Sequence, residues 1–414
     1  MEFGVLTIAL AVFAFALVAR RVSDLVVTPP LTFLALGWLV AEIGLVDAAG
    51  GEEVLHLLAE VTLIIVLFSD AASIDAKQLR SGASWPARML IVGMPLMIGL
   101  GFLSAVGLLP GWSIWEVALL AAILAPTDAA LGQAVVTNPA VPDRVRRTLN
   151  VESGLNDGMA LPAILFFACI AVGGVHDGRQ NDWLEFAAEQ IGYGAVIGVV
   201  LGLAGGWLIT RASARGWSSE AFEGIGVLAL AGICYLAAVE VGGNGFVAAF
   251  IGGLAFGQVA RHRCAFVFEF MEAEGQALIL LTFLLIGVAL LPHAAHAITL
   301  PGAIIVLLSL FVVRPLAIWL ALVGSRAKPI TRLFLGWFGP RGLATALFAL
   351  IVLEQFDNLP HGDEMLTIAI IAVAASALLH GLSAAPGARW FGKRAGEDTD
   401  SGSENEMKLG EQKG

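Results

Sequence analysis

Charged residues are scarce in this chain, and that scarcity excludes several classes of protein. They make up 14% of its 414 residues, whereas about a quarter is usual in a soluble protein. With a formal charge of −11, no lysine and arginine cluster is dense enough to indicate a nucleic-acid partner. The three cysteines, at positions 169, 234 and 264, lack metal-ligand or CxxC spacing, which disfavours a disulfide framework. HExxH and ATP-binding motifs are absent, and no cofactor is predicted.

Apolar residues are abundant instead. Hydrophobic residues reach 58% and mean hydropathy is +0.85, in runs long enough to cross a bilayer as helices. We predict an all-α polytopic membrane protein with about thirteen transmembrane helices, whose N-terminal stretch is the first helix and not a signal peptide. The predicted spans are 3–19, 31–46, 54–73, 89–109, 114–136, 147–173, 184–210, 220–240, 246–258, 274–291, 301–323, 332–353 and 364–385.

Positive charge is distributed unevenly between the predicted loops. Of the 23 lysines and arginines, most fall in alternate loops, which predicts an N-terminus outside and a C-terminus in the cytoplasm of a cell (inner) membrane. Residues 1–390 are predicted to form one transmembrane domain. The low-complexity tail 391–414, rich in Gly, Ser and Glu, is predicted to be acidic, disordered and cytoplasmic.

Two predicted spans are interrupted near the middle. One contains Ala125-Pro126-Thr127-Asp128 and the other Gly339-Pro340-Arg341-Gly342, and proline breaks or kinks a helix because it lacks a donor and clashes with the preceding turn. Paired breaks in corresponding positions of two halves are typical of transporters with inverted repeats and a midplane ion site. The alternative is that each proline only kinks its helix.

The stretch Glu152-Ser153-Gly154-Leu155-Asn156-Asp157 places two carboxylates within a predicted span. Ionisable groups at membrane depth are costly and usually functional. Ser153 and Asp157 are four residues apart and share a helix face. Oxygen atoms of Asp157, Ser153 and Thr127 could bind a hard monovalent cation, and an unpaired carboxylate in a poorly solvated site also binds protons tightly.

Other charged residues near this depth have a supporting or an open role. We predict that Glu152 forms an ion pair with Arg341, which leaves Asp157 unpaired. Asp128 either contributes to the site or only caps a half-helix, and Asp70 is either a site ligand or a solvated end residue. A static buried network of all these charges is the alternative. Separately, Gly194, Gly198, Gly202 and Gly206 recur every four residues, which predicts close helix packing within the chain, with a dimer seam as the alternative.

Four segments resemble the monovalent cation/proton antiporters, in particular their NhaP-like sodium/proton exchanger branch. They are Glu152-Ser153-Gly154-Leu155-Asn156-Asp157 with its preceding basic loop, Pro126-Thr127-Asp128, Gly243-Asn244-Gly245-Phe246 and Gly339-Pro340-Arg341-Gly342. The resemblance covers nearly all of residues 5–390. Ala129 stands where the family often has proline, and Asp70 stands one residue after the usual acidic position.

This resemblance implies a NhaA/NhaP-like fold with a six-helix core, about residues 89–173 and 301–385, and a separate dimerisation domain. It also implies a homodimer and an elevator-like movement. Asp157 would bind cation or proton in turn, with Asn156 beside it and Thr127 and Ser153 completing the site. The Asn-Asp pair implies electroneutral exchange.

The expected function is therefore secondary active exchange of Na⁺ for H⁺ across the lipid bilayer. A K⁺-selective exchanger is the nearest alternative, and Li⁺ is a further candidate ion. A channel is less favoured because the broken helices do not predict a continuous pore. An intramembrane enzyme is also less favoured, because no nucleophile–base pair or metal cluster is evident.

Overall fold

The computed structural model describes residues 6–7, 9–10, 12–17, 28–44, 52–74, 84–173, 180–261, 264–356 and 359–411. Over those residues it is all-helical. The helices that follow the helical residues within 6–17 are α1 (Pro29–Glu42), α2 (Glu52–Ala72), α3 (Ser84–Ala105), α4 (Ile114–Ile123), α5 (Ala129–Val136), α6 (Asp143–Gly173), α7 (Gln180–Ala214), α8 (Glu220–Glu240), α9 (Gly245–Ala260), α10 (Phe266–Ala297), α11 (Leu300–Ala321), α12 (Pro329–Trp337), α13 (Leu343–Gln355) and α14 (Gly362–Glu411).

The predicted all-α membrane architecture is confirmed. Each predicted span from 31–46 onward coincides with one helix or, in two places, with a pair of half-helices. The described residues include eight helices that are long and apolar enough to cross a membrane. The span predicted at 3–19 lies partly outside the described residues. A count of thirteen is compatible with this architecture and stays a prediction.

Within the part of the chain that the structure describes, three long helices contain a wider π-helical turn, and each such turn ends two residues before a proline. The turns are Met89–Gly93, Ile286–Leu290 and Ser309–Val313, and the prolines are Pro95, Pro292 and Pro315. Proline has no N–H and its ring clashes with the carbonyl four residues earlier. One extra residue in the turn relieves that clash, so these helices continue through their prolines.

The two triplets of helices that carry the breaks are built alike. In each, a helix with a π turn (α3 or α11) precedes two half-helices (α4–α5 or α12–α13), and a long helix follows (α6 or α14). Both of these long helices contain one proline, Pro162 in α6 and Pro386 in α14. The repeated order supports the predicted pair of interrupted crossing helices within an antiporter-like fold.

The glycine row on α7 packs against α9 within the same chain. A Cβ atom at Gly198 would lie 2.6 Å from the carbonyl oxygen of Ala248, and one at Gly194 would lie 2.6 Å from that of Asn244. Neither separation is tolerable for a real side chain, so these glycines permit the close approach of the two backbones. The predicted packing within the chain is confirmed for this surface.

The last helix, α14, extends into the predicted acidic tail, and the disorder of that tail stays a prediction. The membrane-spanning part of α14 covers Gly362–Arg394, and the helix continues to Glu411. The glutamates, Met407, Lys408 and Leu409 of this extension are good helix formers, whereas its glycines, serines and aspartates are poor ones. Several basic positions of the predicted cytoplasmic loops, including residues 20, 21, 77, 80 and 263, lie outside the described residues.

Candidate functional site at the crossing of two broken helices

Asp128 joins the two breaks. It is the N-cap residue of α5, where its Oδ1 accepts a 2.7 Å hydrogen bond from the Ala130 N–H. Its Oδ2 accepts a 2.9 Å bond from the N–H of Leu343, the first residue of α13. One carboxylate therefore satisfies donors at the positive ends of two half-helices. The sequence left open whether Asp128 belongs to the cation site or caps a half-helix. The capping role is confirmed, and Asp128 caps a half-helix in each of the two crossings.

The glycines of the second break make this arrangement possible. A Cβ atom at Gly342 would overlap the Asp128 carboxylate, and a Cβ atom at Gly339 would overlap the Arg314 guanidinium. The Asp128 N–H also donates to the Pro340 carbonyl at 2.9 Å. The two breaks are thus fitted to each other at atomic contact, and no larger residue fits at either glycine without movement of the neighbouring charge.

Arg341 faces the opposite end of the first crossing. Its guanidinium donates to the Ala125 carbonyl at 3.1 Å and to the Pro126 carbonyl at 3.5 Å. These carbonyls follow the C-terminus of α4, where backbone oxygens lack helical partners and carry partial negative charge. Arg341 is buried and also lies 3.4 Å from the Ser309 hydroxyl.

The predicted ion pair between Glu152 and Arg341 is wrong. Glu152 is paired with Arg314, through two parallel bonds of 2.9 Å (Nη1 to Oε1) and 3.0 Å (Nη2 to Oε2). Both side chains are at most 2% exposed. A buried carboxylate needs a hydrogen-bonded cation, and the planar guanidinium satisfies both of its oxygens at once. Arg341 instead donates hydrogen bonds to the backbone carbonyls at the end of α4.

Three predicted site residues form a hydrogen-bonded cluster at the first break. The Ser153 hydroxyl donates to the Thr127 carbonyl at 2.7 Å, and the Asn156 amide Nδ2 donates to the Thr127 hydroxyl. All three side chains are buried. Asn156 Oδ1 is buried without a hydrogen-bond partner among the described residues. The Thr127–Asn156 contact therefore fixes the orientation of an amide whose oxygen is left unbonded.

Asp157 lies at the buried end of an acidic cavity. The cavity has a volume of about 400 Å³, and it is lined by the four carboxylates of Asp70, Asp128, Asp157 and Glu272. Asp157 is 8% exposed, and its Oδ1 has no hydrogen-bond partner within the described residues. Carboxylates around a narrow cavity raise the local concentration of cations. Thr127 and Ser153 line a separate cavity of about 10 Å³, which Asp128 also lines.

The acidic cavity reaches one side of the bundle. Its lining includes Ser73 after α2, Thr137 after α5 and Phe268 at the start of α10. By the alternation of the helices, these ends lie on a common side, the one that carries the arginines at the start of α6. Asp70 is part of the lining, so the structure brings it to the cavity that contains Asp157. Sequence reasoning missed Glu272, for which no motif provides a signal.

A second cavity lies toward the opposite side. It has a volume of about 290 Å³ and is lined by residues of α6, α7, α8 and α13, among them Leu165, Gln190, Tyr235 and Gln355. Leu165 is eight residues beyond Asp157 on α6, a rise of about 12 Å. Between them Gly158 packs on the Phe250 ring, so closely that a Cβ atom would overlap it. Neither residue lines either cavity, and we infer that this apolar contact separates them.

Comparison with known proteins identifies the family. Residues 7–390 match the family described as "Sodium/hydrogen exchanger, transmembrane", and the chain belongs to that family. This is a family of transporters, and membership in it confirms the expectation that the protein is a transporter and not an enzyme.

Two curated relatives and one solved structure illustrate the similarity. The chain is 26% identical over 385 residues to the K(+)/H(+) antiporter NhaP of Alkalimonas amylolytica, covering 92% of this chain and 65% of that protein. It is 28% identical over 407 residues to the Na(+)/H(+) antiporter NhaP of Pseudomonas aeruginosa, covering 92% and 89%. The sodium proton antiporter of Methanocaldococcus jannaschii at pH 8 has the same fold, with a TM-score of 0.75 and 20% identity, covering 94% of this chain and 98% of that one. The chain spans less than two thirds of the length of the first of these relatives.

Proposed function

We propose that this protein is a secondary active antiporter that exchanges a monovalent cation for a proton across the cell membrane. The observation that carries the proposal is the contrast between two carboxylates on α6. Glu152 is neutralised by Arg314 at 2.9 Å, whereas Asp157 has no ion-pair partner among the described residues and opens into an acidic cavity. A buried carboxylate without a fixed counter-charge needs a mobile one, and either a cation or a proton can provide it.

The exchange requires both ions to use the same atoms. A proton on the Asp157 carboxylate removes the charge that holds the cation, and a bound cation excludes the proton. Asn156 is neutral, so Asp157 is the single charged group that binds the transported ion. It binds either one monovalent cation or one proton, and the proposed one-for-one exchange is therefore electroneutral. Asp157 and Asn156 Oδ1 offer oxygen ligands suited to a hard cation. Thr127 orients Asn156, and Ser153 holds the backbone of Thr127.

Alternating access supplies the transport step. We assign residues 89–173 and 301–385 to a moving core and the remaining helices to a scaffold that also forms a homodimer. The two cavities both lie between these groups, one on each side of the apolar contact between Gly158 and Phe250. An elevator-like shift of the core by roughly the 12 Å that separates the cavities along α6 would expose Asp157 to the other side. The ion gradients drive the cycle.

Sodium is the proposed cation, with potassium as the alternative. The relatives include a K(+)/H(+) antiporter and a Na(+)/H(+) antiporter, so the family permits both ions. The acidic cavity would face the cytoplasm if the N-terminus lies outside, as the positive charges at the start of α6 favour. No cofactor enters the proposed cycle.

Proton flux in proteoliposomes tests this function. Vesicles with an acidic interior receive Na⁺, K⁺ or Li⁺ outside, and an internal dye reports the pH. Wild type is expected to dissipate the gradient with at least one of these cations, while Asp157→Asn is inactive with all of them. Asp143→Asn, at the exposed start of the same helix, is the matched control and retains wild-type flux. Wild-type flux in Asp157→Asn, or no cation-dependent flux in wild type, would refute the proposal.

A further inference from the structure

The ends of four half-helices meet at the crossing, and only three have the partners described above. The N-termini of α5 and α13 share the Asp128 carboxylate, and the C-terminus of α4 faces Arg341. The C-terminus of α12, at Trp337, remains. Its carbonyl oxygens carry partial negative charge in the membrane interior, where each unsatisfied polar group is costly.

His380 on α14 occupies this position. Its Nε2 lies 2.9 Å from the Trp337 carbonyl oxygen, which also accepts from the Gly339 N–H at 2.9 Å. The imidazole is 2% exposed and packs against the Trp337 ring with centroids 5.0 Å apart. A carbonyl can only accept, so Nε2 carries the hydrogen. His380 therefore caps the fourth end.

The other ring nitrogen leads to the second break. His380 Nδ1 lies 3.1 Å from the Ser376 hydroxyl, which accepts a 2.7 Å bond from the Arg341 N–H. With Nε2 protonated, Nδ1 is free to accept the Ser376 hydroxyl hydrogen, and all three groups have consistent donor and acceptor roles. Nδ1 also lies 3.0 Å from the Ser376 carbonyl oxygen, but both atoms are acceptors in this tautomer and form no hydrogen bond. One side chain thus holds the backbone on both sides of the break.

A neutral imidazole suits this place better than a cation. The charged groups that act on the ring are Arg314 and Arg341, and a third positive charge beside them would be unfavourable in a buried region. The neutral tautomer still supplies one donor and one acceptor.

We propose that His380 is a positioning residue for the cation site. By holding the Arg341 backbone through Ser376, it places the Arg341 guanidinium on the carbonyls of Ala125 and Pro126. These residues precede Thr127, whose hydroxyl and carbonyl hold Asn156 and Ser153. The inference rests on the proposed cation/proton exchange for its kinetic consequences, although the hydrogen-bonded chain is independent of that function.

Three variants of His380 and Ser376 test the proposal. His380→Ala removes the donor to Trp337, Ser376→Ala removes the link to Arg341, and His380→Gln restores an N–H donor near the Nε2 position. His380→Ala and Ser376→Ala are expected to raise the KM for the cation about tenfold, as the loss of a buried hydrogen bond predicts. Their maximal rate per folded protein stays within about twofold, and His380→Gln restores the KM. A purely structural role would lower the folded yield and leave the KM unchanged. His293→Ala, at an exposed position of α10, is the control.

Hydrogen–deuterium exchange provides a readout that does not need transport. The backbone amides of Arg341 and Leu343 are expected to exchange faster in His380→Ala than in wild type or His380→Gln. An unchanged KM, unchanged exchange at these amides, or a His380→Gln variant as impaired as His380→Ala would overturn the proposal. Absence of cation-dependent flux in wild type would instead refute the transport function, and the exchange result would then decide the role of His380 alone.

Discussion

The two broken crossings have the same backbone plan and opposite chemistry. The first, α4–α5, contributes the Thr127 hydroxyl and the Asp128 carboxylate, and α6 packed beside it adds Asn156 and Asp157. The second, α12–α13, contributes Arg341 and two glycines, with His380 and Arg314 from its neighbouring helices. Acidic and amide oxygens come from one triplet, and cations and a neutral cap come from the other.

This difference separates binding from positioning. Each half-helix end carries partial charge whatever the sequence, so both crossings need caps. Beside the first break, α6 leaves two buried side-chain oxygens without a hydrogen-bond partner among the described residues, Asn156 Oδ1 and Asp157 Oδ1, and oxygens suit a cation. The second triplet neutralises Glu152 through Arg314 and fixes the backbone of the first. We therefore expect variants around the unbonded oxygens of the first triplet to change ion affinity, and variants of the second triplet, or of Glu152 that pairs with it, to change stability or geometry.

The largest expected effect comes from breaking the ion pair that joins the triplets. Glu152→Gln leaves the Arg314 guanidinium buried without a counter-charge, which should lower the free energy of unfolding by about 3–5 kcal/mol. Thermal unfolding of the purified protein in detergent measures this loss. Glu152→Gln with Arg314→Met should recover much of it, because no unpaired buried charge then remains.

The same cycle discriminates between the two candidate partners of Glu152. Coupling between residues 152 and 314 should be about 0.5–3 kcal/mol, as for contacting residues, while residues 152 and 341 should be closer to additive. Strong coupling of Glu152 to Arg341 and none to Arg314 would contradict the pairing described here.

Thr127 sharpens the comparison within the first crossing. Thr127→Ala removes the hydroxyl that orients Asn156, and the KM for the cation should rise about tenfold, since a buried polar group then loses its partner. Thr127→Ser keeps the hydroxyl and should remain within about twofold of wild type. Cation-dependent proton flux at varied cation concentration measures both. Equal affinity in Thr127→Ala and wild type would remove Thr127 from the site.

The smallest effect is expected at Glu272, an exposed carboxylate in the lining of the acidic cavity. Glu272→Gln removes one of four carboxylates that line the acidic cavity, and at low ionic strength the KM should rise about twofold through weaker attraction of cations. At about 1 M salt, where the Debye length is about 3 Å, the difference should vanish. Glu274→Gln, on the same helix but outside the cavity lining, is the matched control. A salt-independent effect would indicate direct coordination by Glu272.

The sequence predicts the breaks well because proline and glycine act locally. Pro126 and Pro340 disrupt helices through their own geometry, and the polar stretch from Glu152 to Asp157 stands out against an apolar background. Depth along the membrane also follows from counting residues. The predicted fold and the predicted location of the site both depend on these features.

Partners across helices are harder to predict. Arg314 and Arg341 both lie in the second triplet, and residue counting assigns depth without the direction in which a side chain extends. The pairing of Glu152 with Arg314 requires a glycine at position 339, because a Cβ atom there would overlap the Arg314 guanidinium. Glu272 and His380 carry no motif, so only the packing of α10 and α14 against the crossings reveals their positions. The π turns have a sequence signal, proline within a long apolar run, but their exact offset needed the structure.

Proton release on cation binding tests the central claim most directly. The purified, detergent-solubilised protein is placed in weakly buffered solution near neutral pH, and Na⁺, K⁺ or Li⁺ is added while a dye records the pH. Exchange at a single carboxylate predicts a saturable release of up to one proton per chain in wild type and none in Asp157→Asn. Equal release by both proteins would show that cation and proton do not compete for Asp157, and would contradict the account.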